Sequence, residues 1–189
     1  MLQAAILTAF FGLLRVSEYT CPENKIHFDT ETHLTQQDVS INLTNKVTKI
    51  RIKSSKTDPF RIGMVVRIGP TQNALCPVSA MIKYVHTQHR RCGPFFQYQN
   101  GVGLTRQHIV MILRHSLQQR AINTHSLRIG GASALASINT PDYIIQIMGR
   151  WKSDAYRTYI SLSDQFITNT HRTLATTQTT ATIWSPKDW

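Results

Sequence analysis

Four side chains in one short stretch of the sequence have the right types to handle an anionic, electrophilic group. In THSLRIGGASALASINTPDYIIQIMGRWKSDAYRTYI, residues 124–160, His125 and Arg128 stand three positions apart, and Trp151 and Tyr159 follow after a helix-sized spacer. Residues three apart on a helix share a face, so an imidazole and a guanidinium here point into the same space. Ser153 or Asp154 can cap a new helix whose first turns carry Tyr156 and Tyr159. A phenol delivered on a helix to a His/Arg pair suggests phosphate chemistry with tyrosine as the nucleophile.

The elements that must position these groups can be read by period. Met1 to Leu14, MLQAAILTAFFGLL, is apolar nearly all round and reads as a buried helix about which the rest packs. It lacks the basic leader and cleavage site of a signal peptide and is too short to span a bilayer. Arg15 ends this run, with Glu18 one turn later as a helix partner. From Thr35 to Gly69 the period changes to two, in DVSINL, KVTKIRIKS and FRIGMVVRIG, and predicts a three-stranded antiparallel sheet. Asn45 falls in its first turn and Asp58-Pro59 in its second, which puts Lys56 at a hairpin tip with Lys53 nearby.

Pro77 opens a helix with an apolar stripe at Val78, Met81, Ile82 and Val85. GPFFQYQNGVG, residues 93–103, reads as a loop or short extended segment with exposed aromatics. A basic amphipathic helix then begins at Thr105, where Arg106, His108, Arg114 and Arg120 are available to phosphates. Gly130-Gly131 predicts close helix packing, and Pro141 starts the helix before Trp151. The Thr-rich text from 168 to 182 has no clear apolar period and reads as disordered.

Composition narrows the partners. The chain has 189 residues, and Lys plus Arg outnumber Asp plus Glu by 21 to 10, a formal charge of +11 with a pI near 10.0. That excess is spread along the chain and favours a polyanion, nucleic acid first. Cys21, Cys76 and Cys92 are odd in number and irregularly spaced, which excludes a disulfide framework and fits a reducing compartment. His86, His89 and Cys92 with Cys76 match no common zinc module and read better as one face of a helix. No GxGxxG, phosphate-binding loop or paired-carboxylate pattern occurs, so nothing calls for a nucleotide cofactor.

HSLR, the GRW triplet and the YI pair at 159–160 resemble the second half of the active site of tyrosine recombinases, the phage-integrase superfamily; SDAY is most similar to eukaryotic mobile-element members of the Crypton and DIRS type. FFGLLRVSE resembles that family's first arginine motif, and SSKTDPF its catalytic-lysine hairpin. The resemblance runs from about Leu2 to Ile160. It implies an α+β fold, a mainly helical catalytic domain over residues 1–165 with a small three-stranded antiparallel sheet, followed by a Thr-rich tail over 166–189. It implies a metal-independent reaction without cofactor, in which Tyr159 attacks a DNA phosphorus to give a 3′-phosphotyrosyl link and a free 5′-hydroxyl. Arg15 and Arg128 would hold the nonbridging oxygens, His125 would take the phenolic proton, Lys56 would protonate the leaving oxygen, and Trp151 would bond a phosphate oxygen.

The partners so implied are double-stranded DNA and further copies of the chain, as a tetramer on DNA, with the tail docking onto a neighbouring protomer. The expected location is intracellular, in the nucleus. Two departures stand out. The chain has no room for the separate amino-terminal domain with which the family encircles DNA. The interval from Trp151 to Tyr159 is one residue shorter than in bacterial members, which makes Tyr156 a rival nucleophile, as Lys53 is a rival to Lys56. The alternative function is a catalytically inactive, domesticated or truncated DNA-binding module.

Overall fold

The computed structural model describes residues 1–24, 27–54, 58, 60, 62–88, 92–160 and 163–176. Helix α1 (Leu2–Phe11) runs through the middle of the fold, as its unbroken apolar character predicts, with Ala4, Ala5 and Ala9 essentially inaccessible to solvent. These alanines let neighbouring backbones approach closely. The one-turn helix α2 (Val16–Tyr19) follows, with a short 3-10 turn (Gln36–Asp38) ahead of the sheet.

The sheet has the order β1 (Val39–Asn42), β2 (Val47–Ile52), β3 (Met64–Ile68), antiparallel throughout. Val39 pairs with Ile50, and Ile52 with Met64. In β2 the alternation is clean. Thr48, Ile50 and Ile52 face the core, whereas Lys49 and Arg51 face solvent. The first turn is held by the Asn42 side chain, which accepts from the amides of Thr44 and Asn45. In the second, Asp58 accepts from the amides of Ile62 and Gly63. This turn occupies Phe60 and Ile62, so the third strand starts at Met64, later than the apolar text predicts.

Helix α3 (Pro77–Thr87) packs on α1, with Val78 and Met81 buried and Met81 in the main core. It ends at Thr87, short of Cys92, so Cys92 does not share a helix face with His86; His89 lies outside the described residues. Among the described residues no group of three or more His, Cys, Asp or Glu is placed to hold a metal ion. The segment after α3 departs from the sequence reading. Phe95 and Phe96 are 1% exposed, pack against each other and Tyr84, and belong to the main core. The Tyr84 hydroxyl donates to the Phe95 carbonyl at 2.6 Å. An aromatic pair in a Gly/Pro-rich stretch is therefore the far wall of the core, and turn composition alone cannot reveal that.

Helix α4 (Arg106–Leu117) begins where predicted, with Thr105 Oγ accepting from the His108 amide. Helices α5 (Ser126–Ser137) and α6 (Asp142–Gly149) follow, then a 3-10 helix (Asp154–Tyr159) and α7 (Asp164–Thr176). The Thr-rich tail thus opens with an amphipathic helix where the sequence reads as disorder; residues 177–189 lie outside the described residues. Among the described residues no helix is long and apolar enough to cross a membrane.

Gly131 explains how α5 reaches α1. A Cβ there would lie 2.5 Å from Leu13 Cδ2 and 2.6 Å from the Phe10 carbonyl oxygen, so only glycine permits this approach. The result is two apolar clusters. The main core joins α1, the sheet, α3, α4 and Phe95-Phe96, and a smaller one gathers Ala132, Ile145 and Tyr156 with Trp151 and Tyr159 at its edge.

Candidate active site

Of the side chains singled out in the sequence, Arg15, His125, Arg128, Trp151 and Tyr159 lie along the seam between these clusters. Arg15 precedes α2 as its cap residue and donates twice to Glu18: its amide to Oε2 at 2.8 Å, and its Nη1 to Oε1 at 3.0 Å. The Glu18 side chain is fully buried, while Arg15 keeps 18% of its side chain exposed.

Arg128, in the first turn of α5, is only 2% exposed. Its Nη1 donates to the Leu13 carbonyl and its Nη2 to the Gly149 carbonyl. Trp151 lies over the guanidinium, with Cζ 4.0 Å from the indole centroid, and the Tyr159 ring is 5.9 Å from Cζ. Burial, reinforced by the Arg15 and Arg150 charges and opposed by Glu18, lowers Arg128 to about 10, so it remains cationic at neutral pH. Gly149 makes the indole's position possible: a Cβ there would fall 1.4 Å from Trp151 Cζ3.

His125 stands at the amino-terminal cap of α5, exposed, with its backbone fixed by the Asn123 side chain at 2.8 Å. Its ring centroid is 6.2 Å from that of Tyr159. The nucleophile candidates ride on a 3-10 helix, not the α-helix that the Ser153 cap suggested. With three residues per turn, positions three apart eclipse, so both Tyr156 and Tyr159 meet Trp151, at 6.2 and 5.5 Å between centroids. Their hydroxyls differ. Tyr156 is 2% exposed, donates to Asp142 Oδ2 at 2.9 Å and accepts from Arg157 Nε at 3.3 Å. Tyr159 is half-buried, and among the described residues its hydroxyl makes no hydrogen bond.

Lys56 lies outside the described residues. Its rival Lys53 is engaged elsewhere, with Nζ 2.6 Å from Asp38 Oδ2 and donating to the Thr30 carbonyl. On α4, Arg106, Arg114 and His115 line a groove of about 600 Å³ that also includes Thr124, beside His125. Arg120 is exposed, and His108 sits edge-on to Tyr98.

One residue escaped the sequence reading. Arg150, inside the GRW triplet, joins the cluster from the end of α6, with Nη2 2.7 Å from Glu18 Oε2. Its only signal in the text is its position next to Trp151. Two guanidiniums thus pair with one carboxylate and Arg128 adds a third positive charge nearby, an excess that suits an oxyanion.

A mainly helical domain with a three-stranded antiparallel sheet and this element order has the tyrosine-recombinase catalytic-domain fold. The XerA recombinase is 18% identical, with a TM-score of 0.64 over 90% of this chain and 57% of that one. The XerH site-specific recombinase, bound to palindromic difH substrate in a post-cleavage complex, is 16% identical, with a TM-score of 0.61 over 92% of this chain and 45% of that one. The Tn1549 transposon integrase in complex with circular intermediate DNA is 16% identical, with a TM-score of 0.53 over 91% of this chain and 59% of that one. This chain therefore spans about half the length of these structures, and the likeness is one of fold. No family model matches the sequence. No curated protein matches it either.

Proposed function

We propose that this chain is the catalytic domain of a site-specific DNA recombinase of the mobile-element type, cleaving and rejoining double-stranded DNA through a 3′-phosphotyrosyl link on Tyr159. The observation that carries the reading is the contrast between two tyrosines on one 3-10 helix. The Tyr156 hydroxyl is tied to Asp142 and Arg157, whereas the Tyr159 phenol is unbonded and lies against His125, Trp151 and Arg128. The DNA-bound XerH and Tn1549 structures support a DNA substrate for the fold, and the +11 charge supports a polyanion here.

Cleavage requires the Tyr159 oxygen to bond to phosphorus while the bond to the 5′-oxygen breaks, with negative charge building on the nonbridging oxygens. A phenol ionises near pH ~10, so a base must take its proton as the bond forms, and His125 is the group beside it. Arg15, the more exposed guanidinium, meets the phosphate first, and Arg128 supplies charge and its unused N–H donors from beneath Trp151. Lys56 then protonates the departing 5′-oxygen. Its rival Lys53 is held by Asp38. The phosphotyrosyl bond conserves the energy of the broken one, so attack by another 5′-hydroxyl rejoins DNA without ATP. The α4 groove would follow the phosphate backbone, and synapsis would need further copies of the chain, a tetramer on DNA, in the nucleus.

The test is covalent trapping on nicked duplex DNA. Wild-type protein should form an adduct and Tyr159→Phe none. An adduct that persists in Tyr159→Phe but vanishes in Tyr156→Phe reverses the assignment. No wild-type adduct, together with binding that weakens steeply with salt, would favour the inactive DNA-binding module instead.

A further inference from the structure

Arg150 has no part in the chemistry just described, yet it is the most heavily bonded arginine of the site. It caps α6 in the left-handed conformation, φ +59°, which a non-glycine residue adopts only when its surroundings hold it there. Its Nη1 donates to the carbonyls of Gly12 and Met148 at 3.0 and 3.3 Å, and its Nη2 to the Leu13 carbonyl at 3.1 Å and to Glu18 Oε2 at 2.7 Å. Leu13, itself at φ +46°, shares its carbonyl between Arg150 and Arg128. The Arg150 side chain is 8% exposed, against 18% for Arg15.

From this geometry we infer that Arg150 is a positioning residue that occupies one side of Glu18 so that Arg15 stays available to an oxyanion. An arginine and a carboxylate left to themselves pair fork to fork through two parallel bonds. Here Arg150 and the Arg15 amide fill Oε2, and the Arg15 side chain is restricted to one bond, from Nη1 to Oε1. Among the described residues the Arg15 side chain makes no other hydrogen bond, so the rest of its fork is uncommitted. Arg150 also offsets the Glu18 charge, leaving the charges of Arg15 and Arg128 in excess. Without it, Glu18 would compete directly with a bound oxyanion for Arg15. The inference deepens the recombinase reading by assigning a residue of the same site, but its core claim concerns oxyanion binding and can be read without DNA.

The experiment measures tungstate binding to the whole chain by calorimetry, alongside adduct formation on nicked duplex. Arg150→Met should weaken tungstate about ten- to a hundredfold, the usual loss when the group orienting a ligating side chain is removed. Adding Glu18→Gln to Arg150→Met removes the competing charge and should restore most of the affinity. A scaffold role predicts the opposite, with the double variant no better than Arg150→Met, and that result overturns the proposal. So does unchanged tungstate affinity in Arg150→Met, or no tungstate binding by the wild type. If Arg150→Met does not fold, Arg150→Gln, which keeps a donor toward the same carbonyls, is compared in the same way; failure of both to fold assigns Arg150 to the scaffold and overturns the proposal. Tungstate affinities in the expected order without any wild-type adduct would sink the recombinase reading and leave Arg150 in its role. A wild-type adduct whose rate Arg150→Met does not alter would do the reverse.

Discussion

The two apolar clusters are built to different standards. In the main core, side chains from α1, all three strands, α3, α4 and the Phe95-Phe96 segment interlock, and its buried members run from Ala4 to Leu113. The smaller cluster has three fully buried residues, Ala132, Ile145 and Tyr156, with Trp151 and Tyr159 half-buried at its rim. Arg15 and Glu18 belong to the first body, and His125, Arg128, Trp151 and Tyr159 to the edge of the second. The heavily packed part of the fold thus holds Arg15, while the groups proposed to react sit on a thinly packed body. Arginine bonds to backbone carbonyls tie that body to α1, through Arg128 to Leu13 and through Arg150 to Gly12 and Leu13. Local opening free energies follow packing, so the small cluster should open first.

Truncation in the main core gives the largest effect. Phe95→Ala removes a ring packed on Phe96 and Tyr84 and should cost about 3–5 kcal/mol, seen as a lowered midpoint in both global unfolding and hydrogen exchange of α1. A loss confined to α5 and α6 would show that the two bodies are not ranked as described.

Next comes Lys56→Ala, which should slow cleavage by ~10²-fold or more on ordinary DNA and largely recover on a substrate with a bridging 5′-sulfur, because a thiolate leaves without a proton. Arg128→Ala should stay slow on both substrates. Rescue of Lys53→Ala in place of Lys56→Ala would move the general acid to the residue paired with Asp38.

Gly149→Ala drives a methyl into the Trp151 ring and should cost about 1–3 kcal/mol. The loss should be local, displacing the Trp151 indole resonance while leaving amide protection in α1 intact. Tyr156→Phe removes a bond to a partly exposed carboxylate and should cost about 1 kcal/mol in thermal unfolding, with adduct formation retained.

The smallest effect is on pH. Burial and two neighbouring arginines lower Arg128 to about 10, so tungstate affinity should be level through neutral pH and fall as pH rises past about 10. The unfolded chain keeps this arginine protonated to higher pH, so the cost of burying the charge is fully present below about 10 and eases above it. An affinity that already falls well below pH 10 would show that Arg128 does not set the tungstate titration.

Much of this was legible in the text, for reasons that are local. An apolar run nearly all round makes a central helix of Leu2–Phe11, period-two alternation makes the hairpins, and Pro77, Thr105 and Pro141 mark helix starts. That His125, Arg128, Trp151 and Tyr159 fall within one short stretch is likewise a property of the chain, although His125 caps α5 from outside the helix and stays exposed while Arg128 is buried. The burial of Phe95 and Phe96, the 3-10 form of the last turn before Ile160 and the cover of Trp151 over Arg128 were not legible.

By itself the sequence determined the charge, the element types and the candidate chemical groups. Tertiary structure alone decided which of two tyrosines three residues apart keeps an unbonded hydroxyl, and it alone recruited Arg150, 132 residues from Glu18 in the chain. Each of those outcomes depends on a partner chosen across the fold. Asp142 reaches Tyr156 from another helix, the backbone of Gly12 and Leu13 reaches Arg150 from the other end of the chain, and glycine at 131 lets α5 approach the residues that end α1. Such choices are made by competition among buried donors and acceptors for the nearest complement, and spacing along the chain carries no record of it.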